Sequence, residues 1–383
     1  MDFRLTDEQQ LLGDTVQRFV SQRYGFEARR AILRSPMGWS REVWGSLAEM
    51  GLLALQVPEA HGGLGAGSIE TLLTMNAFGR GLLVEPYLPS AVLATALIRE
   101  LGSAAQQQAL FPSLADGQRI AAPAHGEEGA RYDLARVATA ARRTEGGFLL
   151  RGRKAVVLGA EAADLLLVSA RTSGAVADEA GISLFLVARD APGVRLVPYP
   201  TIDGQRGADV VLSDVRVGAG DLLGPEGGAF PGLEKAWDVG IAALCAEAVG
   251  ALQAAFDATV EYAKTRRQFA VPIGKFQALQ HRMADMLIHL EQARSMSYLA
   301  AVRCLDPDRA VRRRAISAAK VVIGQACRFV GQQAVQIHGG MGMTEELALS
   351  HHFKRLAAIE LSMGDTEHHL EQFARHGEPP PPA

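Results

Sequence analysis

Two short stretches of this chain carry residues that could hold an anion. The first, Tyr262-Ala263-Lys264-Thr265-Arg266-Arg267-Gln268-Phe269, closes a long apolar helical pattern, and Pro272-Ile273-Gly274-Lys275-Phe276-Gln277 follows at once. A guanidinium forks onto phosphate oxygens, so Arg266 with the amide donors Gln268 and Gln277 would suit a phosphate. Basic residues at a helix C-terminus also offset its dipole, and that reading accounts for the same residues. The second stretch is Gln336-Ile337-His338-Gly339-Gly340-Met341-Gly342. Its glycines would let backbone N–H groups approach an anion closely, or would simply close a helix with a C-cap turn.

Other chemistries are set aside on spacing. His61-Gly62-Gly63-Leu64-Gly65-Ala66-Gly67 has the glycines of a dinucleotide loop but follows Val57-Pro58-Glu59 between helical patterns. A dinucleotide loop must leave a strand and open a helix, so a tight inter-helix turn is expected instead. The pairs His351-His352 and His368-His369 point about 100° apart on a helix and chelate poorly, so no metal site is expected. Cys245, Cys304 and Cys327 form no CxxC pair. They are expected to be reduced thiols, as in the cytoplasm. No GxSxG elbow or Cys–His nucleophile pair is identifiable.

Three zones must position these residues. Residues 1–118 are helical: Thr6-Asp7-Glu8-Gln9 reads as a capping box, and Leu11, Leu12, Val16, Phe19 and Val20 recur at helical spacing. Further helices are expected over 41–50, 69–78 and 90–101. Residues 119–228 switch to short runs rich in Val, Leu and Phe, over 148–150, 164–168, 183–187, 194–197 and 209–212. That pattern predicts an antiparallel sandwich or barrel. Residues 229–376 return to helix in four segments, about 229–265, 276–304, 309–336 and 350–375, which predicts a four-helix bundle. Residues 377–383 are expected to be a disordered Pro-rich tail.

Composition bounds the function. The chain has 383 residues, a net charge of −3, 48% hydrophobic and 21% charged residues. These values exclude a mainly disordered chain, and the absence of a Lys/Arg block argues against a nucleic-acid or anionic-membrane partner. The polar N-terminus lacks a secretory pattern, and no uninterrupted apolar run reaches the roughly 18 residues of a membrane span.

Taken together, Tyr262–Phe269 with Pro272–Gln277, Met283-Ala284-Asp285-Met286, Gln336–Gly340 and Gly51–Gly65 resemble the acyl-CoA dehydrogenases. Phe353-Lys354-Arg355 and Gly364-Asp365-Thr366-Glu367-His368-His369 sharpen the likeness. They point to the shorter subunits of two-component members, such as the pimeloyl-CoA type. The resemblance implies an N-terminal helical domain, a middle β domain and a C-terminal four-helix bundle. It also implies FAD, an acyl-CoA substrate, a flavoprotein electron acceptor and assembly as a dimer or tetramer. In the family, the pyrophosphate end of FAD reaches the bundle of a neighbouring subunit. The matching positions here are Arg266, Gln268, Phe269, Gln277, Gln336, Gly339 and Gly340. The reaction is α,β-dehydrogenation: a carboxylate takes the α proton while hydride leaves the β carbon.

Departures from the family fall on one side. Its Glu base stands at one of two places, which hold Gly240 and Met363 here. The next position, where many members carry an Arg toward CoA, is Ile241. The Thr-Glu-Pro…Gly-Ser-Asp loop facing the flavin reads Ala124-His125-Gly126-Glu127-Glu128-Gly129-Ala130-Arg131-Tyr132-Asp133. The Trp-x-Thr segment reads Val156-Val157-Leu158. Asp238, Glu360 and Asp365 are substitute bases to test. The expectation is a subunit that lacks the base and completes the FAD site of a longer partner. A self-sufficient homo-oligomer with a relocated base, a non-redox structural or acyl-CoA-binding protein, and a hydro-lyase are the alternatives.

Overall fold

The computed structural model describes residues 4–377. The expected Pro-rich tail thus lies almost wholly outside the described residues. By contacts the chain separates into two compact units: residues 1–30, 68–83 and 241–383 form one, and residues 31–67 and 84–240 the other.

The first unit is helical. Helix α1 (Asp7–Arg23) opens with the expected box: Gln9 N–H donates to Thr6 Oγ1 at 3.2 Å and Thr6 N–H to Gln9 Oε1 at 3.0 Å. Helix α2 (Phe26–Arg34) begins here, and α4 (Ser68–Gly81) joins α1. The bundle comprises α7 (Phe230–Thr265) beyond Gly240, α8 (Gln277–Arg303), α9 (Arg309–His338), α10 (Ala348–Leu361) and α11 (Thr366–Arg375). Helix α9 packs on α8, α10 and α11. The crossing of α4 and α7 is unusually close. A Cβ on Gly79 would lie 1.9 Å from the Glu247 carbonyl oxygen, and one on Gly250 would lie 1.9 Å from that of Asn76. Only glycine lets the two backbones meet this way.

The fourth bundle segment departs from expectation. It is broken at Ser362–Asp365, where Met363 and Gly364 have φ of +57° and +113°. Asp365 caps the next helix by accepting from His368 N–H at 2.8 Å. The apolar periodicity runs across this break, and no proline marks it, so the spacing alone hid it.

The second unit holds α3 (Arg41–Glu49), a π-helical segment Leu88–Ala94, α5 (Thr95–Leu101), α6 (Ala104–Ala115) and the sheet. The strands are β1 (Ala121–Ala124), β2 (Ala140–Thr144), β3 (Gly147–Leu158), β4 (Leu165–Arg171), β5 (Ile182–Ala188), β6 (Val194–Pro200), β7 (Arg206–Gly218) and β8 (Leu222–Leu223). They pair in the order β6-β7-β3-β2-β4-β5-β8, with β1 on β4. The sheet is not wholly antiparallel, because β1 runs parallel to β4. Strands β1 and β2 escaped the sequence reading because alanine and arginine carry little β signal. The glycines after Pro58 form the expected turn, in which a Cβ on Gly63 would lie 2.0 Å from the Val57 carbonyl oxygen.

Helix α7 is long and apolar enough, by length and composition, to cross a bilayer. Asp238 and Glu247 interrupt its apolar run without removing its overall hydropathy. Of its most apolar stretch, 83% is buried inside the protein, the condition of a core helix.

Candidate functional site

The anion-directed residues lie on the helical unit. After α7, strands β9 (Arg267–Gln268) and β10 (Val271–Pro272) form a small hairpin. Its two central residues, Phe269 and Ala270, have φ of +52° and +67°, as a two-residue hairpin of this twist requires. Arg267 is occupied, donating from Nη2 to the Ala270 carbonyl at 2.9 Å. Arg266 has its main chain fixed, by its own N–H to Tyr262 O and by Ile273 N–H to its carbonyl, both at 2.8 Å. Among the described residues its guanidinium has no partner, and the side-chain amides of Gln268, Gln277 and Gln336 have none either. Phe269 is 87% exposed, edge-on to Phe276 at 6.2 Å.

The glycine turn comes to this segment through one ring stack. Tyr262, in the last turn of α7, stacks on His338 with centroids 4.2 Å apart. Gly339 has φ +62°, and a Cβ on Gly339 or Gly340 would meet nothing within 4 Å. An unpaired fork, free amides and bare backbone suit a dianionic phosphate ester, so the residues present fit the pyrophosphate end of FAD.

The sheet unit gives a different answer for the flavin ring. His125 is buried with its ring edge-on to Trp237 at 5.1 Å. Lys154 Nζ donates to Glu127 Oε1 at 2.6 Å and Ser169 Oγ at 3.0 Å, which leaves the Ser169 hydroxyl to donate to His125 Nδ1 at 2.9 Å. Burial lowers Lys154 to about 8 against the opposing pull of Glu127, and burial with Lys154 lowers His125 to about 3. Glu127 stays below its usual range: burial would raise it, but Lys154 overrides that. Its oxygens also accept from the N–H groups of Ala138 and Thr139, at 2.7 and 3.0 Å. Val156 is 57% exposed in a left-handed conformation, rare for a β-branched residue, at an irregularity between β3 and β7. Its N–H is already held by Tyr199 Oη at 3.1 Å and Asp209 Oδ1 at 3.2 Å. Val156, Val157 and Leu158 stand where the family's Trp-x-Thr flanks the flavin ring, so that segment offers the ring neither the aromatic plane nor the hydroxyl the family uses there, and it does not fit the ring.

None of the substitute bases is a free carboxylate. Glu360 accepts from Arg328 Nη2 at 2.8 Å and Thr366 Oγ1 at 3.0 Å. Asp365 is the helix cap already described. Asp238 is fully buried in α7, and Gly240 and Met363 bring no proton acceptor. Sequence reasoning missed Lys320. Its ammonium is buried and donates to the carbonyls of Ile359, Glu360 and Gly364 at 3.0, 3.0 and 2.7 Å. It thereby fixes the break that carries Met363. Burial lowers its pKa. A lysine inside the run Ala318-Ala319-Lys320-Val321-Val322-Ile323 was the available signal. His369, also missed, holds the Met363 carbonyl at 3.0 Å from Nε2. The histidine pairs are largely packed into the interior, and among the described residues no group of His, Cys, Asp and Glu is arranged to hold a metal.

A mainly helical unit thus carries the anion-directed residues, and the sheet belongs to the other unit. Family models for the acyl-CoA dehydrogenase N-terminal, middle and C-terminal domains match residues 6–118, 122–215 and 233–377. A probable acyl-CoA dehydrogenase of Bacillus subtilis, YngJ, is 30% identical over 372 residues, 96% of this chain and 97% of that protein. Among solved structures, the ChsE4–ChsE5 complex of Mycobacterium tuberculosis is 28% identical with a TM-score of 0.87, covering 98% of both chains. The FAD complex of PigA is 27% identical with a TM-score of 0.88, again over 98% of both. The chain belongs to the acyl-CoA dehydrogenase family, and its cofactor is FAD.

Proposed function

We propose that this chain is the subunit of a mixed acyl-CoA dehydrogenase that lacks the base and completes the FAD site of a longer partner. One contrast carries the reading. The phosphate-directed side chains Arg266, Gln268, Gln277 and Gln336 are exposed and unpaired, whereas the three candidate carboxylates Asp238, Glu360 and Asp365 are buried or engaged. FAD accepts hydride from the β carbon when bound. Proton abstraction then needs a carboxylate beside the α carbon, and the partner supplies it. Arg266 would hold the phosphates, and the N–H groups of Gly339 and Gly340 would add donors to them. That a similar structure is a ChsE4–ChsE5 complex supports a two-component assembly.

The test is expression of the chain alone and together with a longer homologue that carries the Glu, followed by flavin counting. The expected result is two flavins per tetramer, with turnover only in the mixed assembly. Stoichiometric tight flavin and turnover by this chain alone would overturn the proposal and return the base to Glu360, Asp238 or Asp365. In the mixed assembly, Arg266→Ala is expected to weaken flavin retention by roughly tenfold to a hundredfold, the loss of a charged hydrogen-bonding fork.

A further inference from the structure

The glycine turn is clamped at both ends. At its entry His338 lies under Tyr262, and His338 Nδ1 is 2.8 Å from the Ala334 carbonyl. At its exit stands His351, in the first turn of α10. His351 Nε2 lies 3.1 Å from the main-chain oxygen of Glu345 and 3.3 Å from its Oε2. Its Nδ1 lies 3.1 Å from Nη1 of Arg29, a buried residue of α2 whose Nε donates to the Leu82 carbonyl at 2.8 Å. Phe26 confines the ring edge-on at 5.1 Å. Lys354 holds the Glu345 carboxylate from the same helix.

These partners fix the tautomer. An arginine can only donate, so His351 Nδ1 accepts and its single proton sits on Nε2, where it donates to the Glu345 carbonyl. We propose that His351 is a positioning residue for the cofactor: it relays the buried Arg29 to the Glu345 main chain and so holds Gly339 and Gly340 in their phosphate-binding conformation. The inference rests on the phosphate reading of Arg266 and the glycine turn. A second proton on Nδ1 would face the Arg29 guanidinium and break the relay. The charged or titratable groups facing His351 are Arg29, Glu345, Lys354 and His352, and burial with the nearby Arg29 keeps the imidazole neutral against the pull of Glu345.

Hydrogen exchange of residues 339–347 in the full chain tests the clamp without flavin. Flavin retention in the co-expressed assembly tests its consequence. His351→Ala should speed exchange of that segment and raise the FAD dissociation constant about tenfold, the loss of one such hydrogen bond. His351→Gln keeps an acceptor and a donor in one amide, so it should restore much of the affinity. It should also remove the part of the wild-type affinity loss on acidification that His351 causes, and that pH comparison decides the matter even if the alanine variant fails to fold. Unchanged loop exchange in His351→Ala overturns the proposal, as does a pH profile identical in wild type and His351→Gln. If His351→Ala loosens the loop but leaves FAD bound while Arg266→Ala releases it, the clamp has no role in cofactor positioning and the proposal falls. If Arg266→Ala also leaves FAD bound, the phosphate reading itself is the part that has failed.

Discussion

A methyl group at Gly364 would lie 2.4 Å from His369 Nε2 and 2.7 Å from His368 Cδ2, at a residue whose φ is +113°. Gly364→Ala combines backbone strain with overpacking, and a loss of about 2–4 kcal/mol is expected. Urea unfolding of the variant measures it, and a midpoint shift too small for 1 kcal/mol would show that the break between α10 and α11 can reshape. The helix end at Thr265 and the glycine turn after His338 were legible from spacing, while the role of their residues toward FAD came from the family resemblance and not from spacing. Lys320 was not legible. A lysine in a helix ordinarily carries its charge out to water, and nothing local says that three carbonyls converge on this one. His125 and Lys154 were hidden for the same reason, since their partner Ser169 comes from another strand.

At the scale of elements, the meeting of α4 and α7 depends on two glycines that face each other's backbones. Gly79→Ala or Gly250→Ala must push the helices apart or bend one of them. A destabilisation of about 3 kcal/mol or more is expected from each, against the roughly 1 kcal/mol gained by replacing Gly with Ala in a free helix. Because both changes relieve the same contact, the double variant should cost less than the sum of the singles, and a double-mutant cycle read by denaturant melts checks this. An additive pair would mean that the crossing is not shared. Most of the helices were readable from apolar period and capping, but α2 and α6 were not singled out. The break before α11 was not, because a turn built on Met363, Gly364 and a capping Asp365 leaves the apolar period uninterrupted. The sheet was read as a class but not in its pairing. The parallel partnership of β1 with β4 depends on a connection through the rest of the domain.

At the scale of the whole molecule, three buried histidines set the acid limit of stability. Burial first, and neighbouring cations second, press His125 and His352 to about 3 and His369 to about 2. Each is therefore neutral in the folded protein, while the unfolded chain takes up a proton near the ordinary histidine pKa of 6.5. Stability is fully present above that value and falls as pH drops toward the folded values. The loss is about 1.4 kcal/mol per pH unit for each histidine. Thermal melts at pH 7.5 and 5.5 should therefore differ by many degrees, well above the carboxylate range. A melting temperature flat over that interval would show that the three sites admit water or a compensating proton.

The helical unit is also discontinuous along the chain, with residues 31–67 and 84–240 intervening between its pieces. On a ribosome, α4 emerges long before the segments of α7 and α8 that pack on it. About 160 residues separate α4 from Ile241, which at roughly 5–20 residues per second is some 8–30 s of exposed apolar surface. Nascent chains of this protein should consequently be strong clients for a ribosome-associated holdase until the second half of the message has been read. Slowing translation between codons 84 and 240 should raise the aggregated fraction without altering the finished fold.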